Sequence, residues 1–210
     1  MKLFIANTSE FLKIIDNSTI QKVYPSEKRN IEHNIGRLIT KYIALNIYNN
    51  EQNEITTKDK KPCFKNSNLK FNISHSDKIL GVVFSDIIED SPLCQSEIGL
   101  DIEKFKTRDL TRLSDYFKKD FKSYNEFYKF WTRYEANYKS KLKNPNEISL
   151  KLKDYYISIS YSSNQKFQIY KISPNNNTPN NLNISQLNNE SLKNLELKLE
   201  KINTQEYTII

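Results

Sequence analysis

Glycine is scarce: a chain of 210 residues has 3, Gly36, Gly81 and Gly99. They lie too far apart to build a Walker-type loop or a GxGxxG turn, both of which need clustered glycines to bring backbone N–H groups against a phosphate. Any anion held by this protein is therefore expected to be held by side chains. Cysteine is as sparse, with only Cys63 and Cys94, which excludes a dense disulfide framework and leaves room for one bridge at most. No apolar run approaches the roughly 20 residues that cross a bilayer, so no spanning helix and no membrane partner are expected. The opening stretch carries charge at Glu10 and Lys13 and has no long apolar core, so no secretory leader is expected and a cytoplasmic location is.

Positive charge is plentiful. Lys and Arg number 32 against 25 Asp and Glu, a formal net charge of +7. Such a balance suits an acidic partner, whether a nucleic acid, an acidic protein or a phosphorylated cofactor. Its ordinary alternative is lysine enrichment that accompanies the asparagine enrichment. A hydrophobic fraction of 37% with 12% aromatics is enough for the core of one or two small domains.

Periodicity places a helix from Pro25 to about Asn49, with Pro25 in its first turn and Ile35, Leu38, Ile39, Tyr42 and Leu45 on one face. Asn49 to Asn68 reads as a polar loop. Leu69 to Ser74 and Ile79 to Phe84 have strand character, with a turn at Ser76, Asp77 and Lys78. Glu97 to Glu103 reads as a short strand, followed by helices near Asp109 to Lys119 and Tyr124 to Leu142. The second helix bears an aromatic stripe, Tyr124, Phe127, Trp131, Tyr134 and Tyr138, which is expected to face the core. Tyr155 to Tyr161 and Phe167 to Ile172 alternate like paired strands, and Asn-rich Ser173 to Asn189 is expected as a mobile loop. The sum is an α+β protein.

Three stretches carry chemistry. In Phe71 to Ser76, preceded by Lys61 and Pro62, a lysine, Ser74 and His75 supply a point charge, a hydroxyl and an imidazole, a set that suits a phosphate; an ordinary turn or surface histidine is the alternative. In Ile98 to Glu103, Asp101 and Glu103 stand two apart, so an extended backbone puts both carboxylates on one face while Leu100 and Ile102 face the core. Two hard oxygen ligands on one edge suit a magnesium ion that also takes phosphate oxygens; solvent-facing acids on an amphipathic strand are the alternative. In Trp131 to Lys139, Trp131, Glu135 and Lys139 recur at i, i+4 and stack along one helical face. Glu135 and Lys139 could be a surface ion pair, or a third metal ligand and a phosphate-neutralising cation.

Taken in order, these stretches resemble the 4'-phosphopantetheinyl transferase superfamily. Its pattern runs as a Lys-Pro, a Phe-Asn-(Ile/Leu)-Ser-His-Ser, a Gly-(Val/Ile)-Asp-(Ile/Val)-Glu and a Trp-(Thr/Ser)-x-Lys-Glu-Ala-x-x-Lys. The matching residues are Lys61 and Pro62, Phe71 to Ser76, Gly99 to Glu103 and Trp131 to Lys139. The resemblance departs at Tyr134, where the family usually has lysine, and at Leu142 and Lys143, near where it often has glycine. It implies transfer of the phosphopantetheine arm of coenzyme A to a serine hydroxyl of an acidic acyl or peptidyl carrier protein, leaving adenosine 3',5'-bisphosphate. Asp101, Glu103 and Glu135 would hold Mg²⁺ or Mn²⁺, Glu135 would take the serine proton, and Lys139 would stabilise the leaving group. Lys61, Ser74 and His75 would hold nucleotide phosphates, with Arg29, Arg37 and Lys41 as further basic contacts.

By the same analogy the expected architecture is two similar α+β halves packed pseudo-symmetrically around a cleft, residues 1–93 and 94–210, dividing near Asp90 to Glu97, in a monomer. Rival readings are a coenzyme A-binding relative without transfer activity, a basic nucleic-acid-binding module, and a zinc site of His33, His75, Cys63 and Cys94. The nucleic-acid module lacks a recognition motif or a continuous basic surface. The zinc site lacks CxxC or HxxxH spacing.

Overall fold

A computed structural model describes residues 1–59, 61–86, 97–162 and 165–210. In chain order the elements are β1 (Lys2–Asn7), α1 (Thr8–Phe11), α2 (Glu27–Asn46), β2 (Ile55–Lys58), β3 (Lys61–Phe64), β4 (Phe71–Ser76), β5 (Ile79–Phe84) and β6 (Ile98–Lys104). They continue with α3 (Leu110–Phe117), α4 (Tyr124–Ser140), β7 (Asn146–Leu152), β8 (Tyr155–Tyr161), β9 (Gln168–Pro174), α5 (Asn189–Lys193), β10 (Leu197–Lys201) and β11 (Thr208–Ile209). The architecture is α+β.

One sheet runs β10-β9-β1-β5-β4 and a second runs β11-β7-β8-β6, with β2 and β3 forming a hairpin. Among the described residues of the first sheet, β1 and β9 are parallel neighbours and the other pairs are antiparallel. Alternation sorts the side chains. On β1, Phe4 and Ala6 join the core beneath α2, while Leu3 and Ile5 join a second core with Leu100 and Ile102 of β6 and Ile157 and Ile159 of β8. The second core thus lies between the sheets, and α4 covers the far face of the second sheet. An aromatic cluster of Phe121, Phe127, Tyr128 and Tyr156 closes that end.

Several expectations change on contact with tertiary structure. Pro25 precedes the helix, because Ser26 caps it by accepting a hydrogen bond from the Arg29 amide. The polar stretch after α2 contains the β2–β3 hairpin, whose short polar strands carry little apolar alternation to reveal them. β8 and β9 do not pair; β9 crosses to the first sheet and lies between β1 and β10. Within the Asn-rich stretch, Leu182 exchanges backbone bonds with Ile14 and Asp16 at 2.6 and 3.0 Å, and the Thr178 hydroxyl donates to the Glu196 carbonyl. The stretch is tied down rather than loose. The proposed dividing segment lies almost wholly outside the described residues, and the first sheet draws β9 and β10 from beyond it.

Candidate active site

Small residues set the geometry of the site. Thr132, Ala136 and Ser140 repeat every fourth position and form the buried stripe of α4. They let the helix settle onto β6 and β8: the Thr132 and Ser158 hydroxyls share a bond of 2.7 Å, and Ser160 donates to Ser140 at 3.0 Å. Gly99 is required by this approach, since a Cβ there would stand 1.9 Å from the Ala136 carbonyl oxygen. The aromatic stripe does not all face inward. Phe127 is buried, but Tyr134 and Tyr138 are 53% and 73% exposed. Tyr134 stacks over Trp131 on the outside of the helix.

A second device joins the two sheets. β4 and β6 are edge strands, and alternate side chains of β4 accept hydrogen bonds from alternate amides of β6. Asn72 Oδ1 takes the Leu100 N–H at 3.1 Å, Ser74 Oγ the Ile102 N–H at 3.2 Å, and Ser76 Oγ the Lys104 N–H at 3.0 Å. The polar letters of the Phe71 to Ser76 stretch therefore serve the fold, since they satisfy buried backbone donors along a seam. Ser74, expected to meet phosphate, is buried in this seam and also donates to Asp101 Oδ1 at 3.4 Å.

Asp101 sits at the seam beneath α4. Its Oδ1 accepts from Lys139 Nζ at 2.6 Å, and the same ammonium donates to the Leu100 carbonyl at 3.0 Å and Ser74 Oγ at 3.4 Å. Its Oδ2 is buried with no hydrogen-bond partner among the described residues. Burial, with smaller pushes from Glu103 and Glu135, holds the carboxyl up to about 6 despite Lys139. An orphaned oxygen beside two like charges is a place where a hard cation is favourable. The carboxylates are not gathered around one point, however: Glu103 Oε1 accepts from Trp131 Nε1 at 3.3 Å. Among the described residues no three His, Cys, Asp or Glu side chains are grouped to hold a metal ion. Cys94 of the zinc set lies outside the described residues.

The surroundings are cationic. Lys61 Nζ is buried without a hydrogen-bond partner among the described residues, and burial, then Lys141 and Lys139, bring it down to about 8. Lys141 reaches this group because α4 ends there with the residue left-handed at φ 59, a conformation glycine would adopt more cheaply. On the opposite face of β4 from Ser74, His75 lines a cavity of about 360 Å³ with Arg29 and Arg37; Pro62, next to Lys61, completes that wall. Asp101, Glu103 and Glu135 are not among the described residues lining it. The structure thus brings Arg29, Arg37 and His75 together, and Ser74, Asp101 and Lys139 together, on two faces of one strand. Lys139 links them, acting electrostatically on Asp101, Lys61 and His75 alike. Lys41 lines a separate cavity of about 400 Å³ beyond Arg37.

No family model matches the chain, and no curated protein matches it. What the site can do follows from its chemistry alone: several cations, one orphaned and raised carboxylate, and a basic cavity suit a phosphorylated ligand rather than a neutral one. Two participants were missed from sequence. Lys141 gave no signal. Glu32 follows Arg29 by three positions on α2 and precedes Arg37 by five, so a helical reading could have placed it beside the arginines.

Proposed function

We propose that this protein transfers the 4'-phosphopantetheine arm of coenzyme A to a serine hydroxyl of an apo acyl or peptidyl carrier protein, releasing adenosine 3',5'-bisphosphate. The observation that carries the reading is the meeting of Ser74 and Lys139 on the one buried carboxylate of Asp101, with Lys61 within electrostatic reach of that same Lys139, so that residues from each stretch of the resemblance converge. Arg29, Arg37, His75 and Lys61 bind the nucleotide phosphates. Asp101 would hold Mg²⁺ or Mn²⁺ through Oδ2, with Glu103 and Glu135 having to turn in to complete the set, and the metal would supply charge neutralisation at a pyrophosphate. Glu135 accepts the serine proton, and Lys139 holds the departing bisphosphate as a compact charge. A poor nucleophile and a highly charged leaving group make positioning and charge compensation the main demands.

The same reading carries two pseudo-symmetric halves, a cytoplasmic monomer and an acidic carrier docking against the excess positive charge. Incubation with coenzyme A, Mg²⁺ and apo-carrier proteins should add the mass of one phosphopantetheine arm; unmodified carrier throughout refutes transfer. A second reading, coenzyme A binding without transfer, draws on the Asp101–Lys139 pair and on Glu103 turning to Trp131. Calorimetric binding of coenzyme A with no mass gain on any carrier would select it.

A further inference from the structure

A carboxylate in a basic phosphate cavity calls for explanation, because alone it repels the ligand. Glu32 is such a group: it lines the same cavity as Arg29, Arg37 and His75, and it is only 4% exposed. Its Oε2 lies 3.1 Å from His75 Nδ1, and its Oε1, buried without a hydrogen-bond partner among the described residues, lies 3.6 Å from Lys28 Nζ. His75 itself is 43% exposed on its side chain. With Nδ1 turned to Glu32, Nε2 is the ring nitrogen left for a ligand. A carboxylate at one nitrogen of an imidazole fixes its tautomer and ring orientation and makes the other nitrogen more basic.

We propose that Glu32 is a positioning residue for His75, holding Nδ1–H so that Nε2 meets the phosphate, and that phosphate binding brings a proton onto Nε2. The proton comes from solvent, and no covalent bond to the ligand forms. Four charged groups act on this ring: Glu32, Lys28 and Arg29 from α2, and Lys139 from α4. Burial first, then the three cations, hold His75 below its ordinary value against the pull of Glu32. A bound phosphate answers the cations and leaves the pull of Glu32 in place, so the ring gains its charge when the ligand arrives. The inference rests on the reading of the cavity as a nucleotide-phosphate site.

The test is calorimetry of adenosine 3',5'-bisphosphate near neutral pH in buffers of differing ionisation enthalpy, beside ¹⁵N spectra of the histidine rings. The wild-type protein should take up about one proton per ligand and show the Nδ1–H tautomer at His75 when free. Glu32→Gln should lose the tautomer preference and most of the uptake, and bind about tenfold more weakly. His75→Asn, at a half-exposed position, should abolish uptake even if the Gln variant folds poorly. Binding without proton uptake, or uptake unchanged in Glu32→Gln, overturns the role of Glu32 and leaves the nucleotide site standing. No binding of the bisphosphate overturns both.

Discussion

A buried carboxylate is costly unless its charge is answered, and among the described residues Asp101 is answered on one oxygen only. That imbalance ties stability to pH. The unfolded chain gives up this proton near 3.8 and the folded chain not until about 6. Between those values the native state binds the extra proton, so its relative stability is greatest at the acid end and falls as pH rises through the window. At about 1.4 kcal/mol for each pH unit the loss is on the order of 3 kcal/mol. Asp101→Asn removes the titration, so urea unfolding from about pH 4 to 7 should show the variant gaining on wild type by up to that amount, while transfer is abolished. Parallel pH profiles would mean a solvated carboxylate. Lys61 makes a related case, since its buried ammonium has no hydrogen-bond partner among the described residues. Lys61→Met should raise the unfolding midpoint while weakening coenzyme A binding about tenfold; a variant less stable than wild type would show that the ammonium is satisfied in the free protein.

Elements meet here through side chains that look like ligands in sequence. Asn72, Ser74 and Ser76 accept from β6 amides, and removing one acceptor leaves a buried N–H unpaired. Ser74→Ala should therefore cost about 1–3 kcal/mol in unfolding free energy, with loss of coenzyme A affinity only as large as the seam's loosening explains. Helix contact is stricter still. Gly99→Ala would drive a Cβ into the α4 backbone, whereas Gly36→Ala meets only the side-chain ends of Leu80 and Ile73 at 3.2 and 3.3 Å. The first should lose about 3 kcal/mol or more and the second stay within about 1 kcal/mol of wild type, as denaturant midpoints will show. These contrasts explain what was legible. Strand alternation placed Asp101 and Glu103 on one face of β6, away from Leu100 and Ile102, because that depends on local geometry. It could not show that Asp101 is 6% exposed, or that the serines serve a neighbouring strand, because both depend on which edges meet. The exposed Tyr134 and Tyr138 escaped for the same reason: the small-residue stripe, not the aromatic one, faces the sheet.

At the scale of the whole molecule the decisive fact is the crossing of β9. A helical or strand period says nothing about which sheet a strand will join, so the pairing of β8 with β9, natural from their proximity in sequence, fails where the chain returns to β1. The consequence is mechanical. β1 is bonded on one side to β5 and on the other to β9, and the core beneath α2 includes Ile172, Leu192, Leu195 and Leu197 alongside Phe4 and Phe84. Residues 1–93 expressed alone would expose the free edge of β1 and the apolar surface those residues cover, an arrangement that favours aggregation or a loosely packed state. That fragment should lack near-ultraviolet circular dichroism and dispersed amide signals, and should recover both when mixed with residues 94–210, since the missing strands then pair in trans. A fragment that folds cooperatively by itself would mean that β9 and β10 merely cover a self-sufficient half, and that the site at the seam joins two units able to move independently.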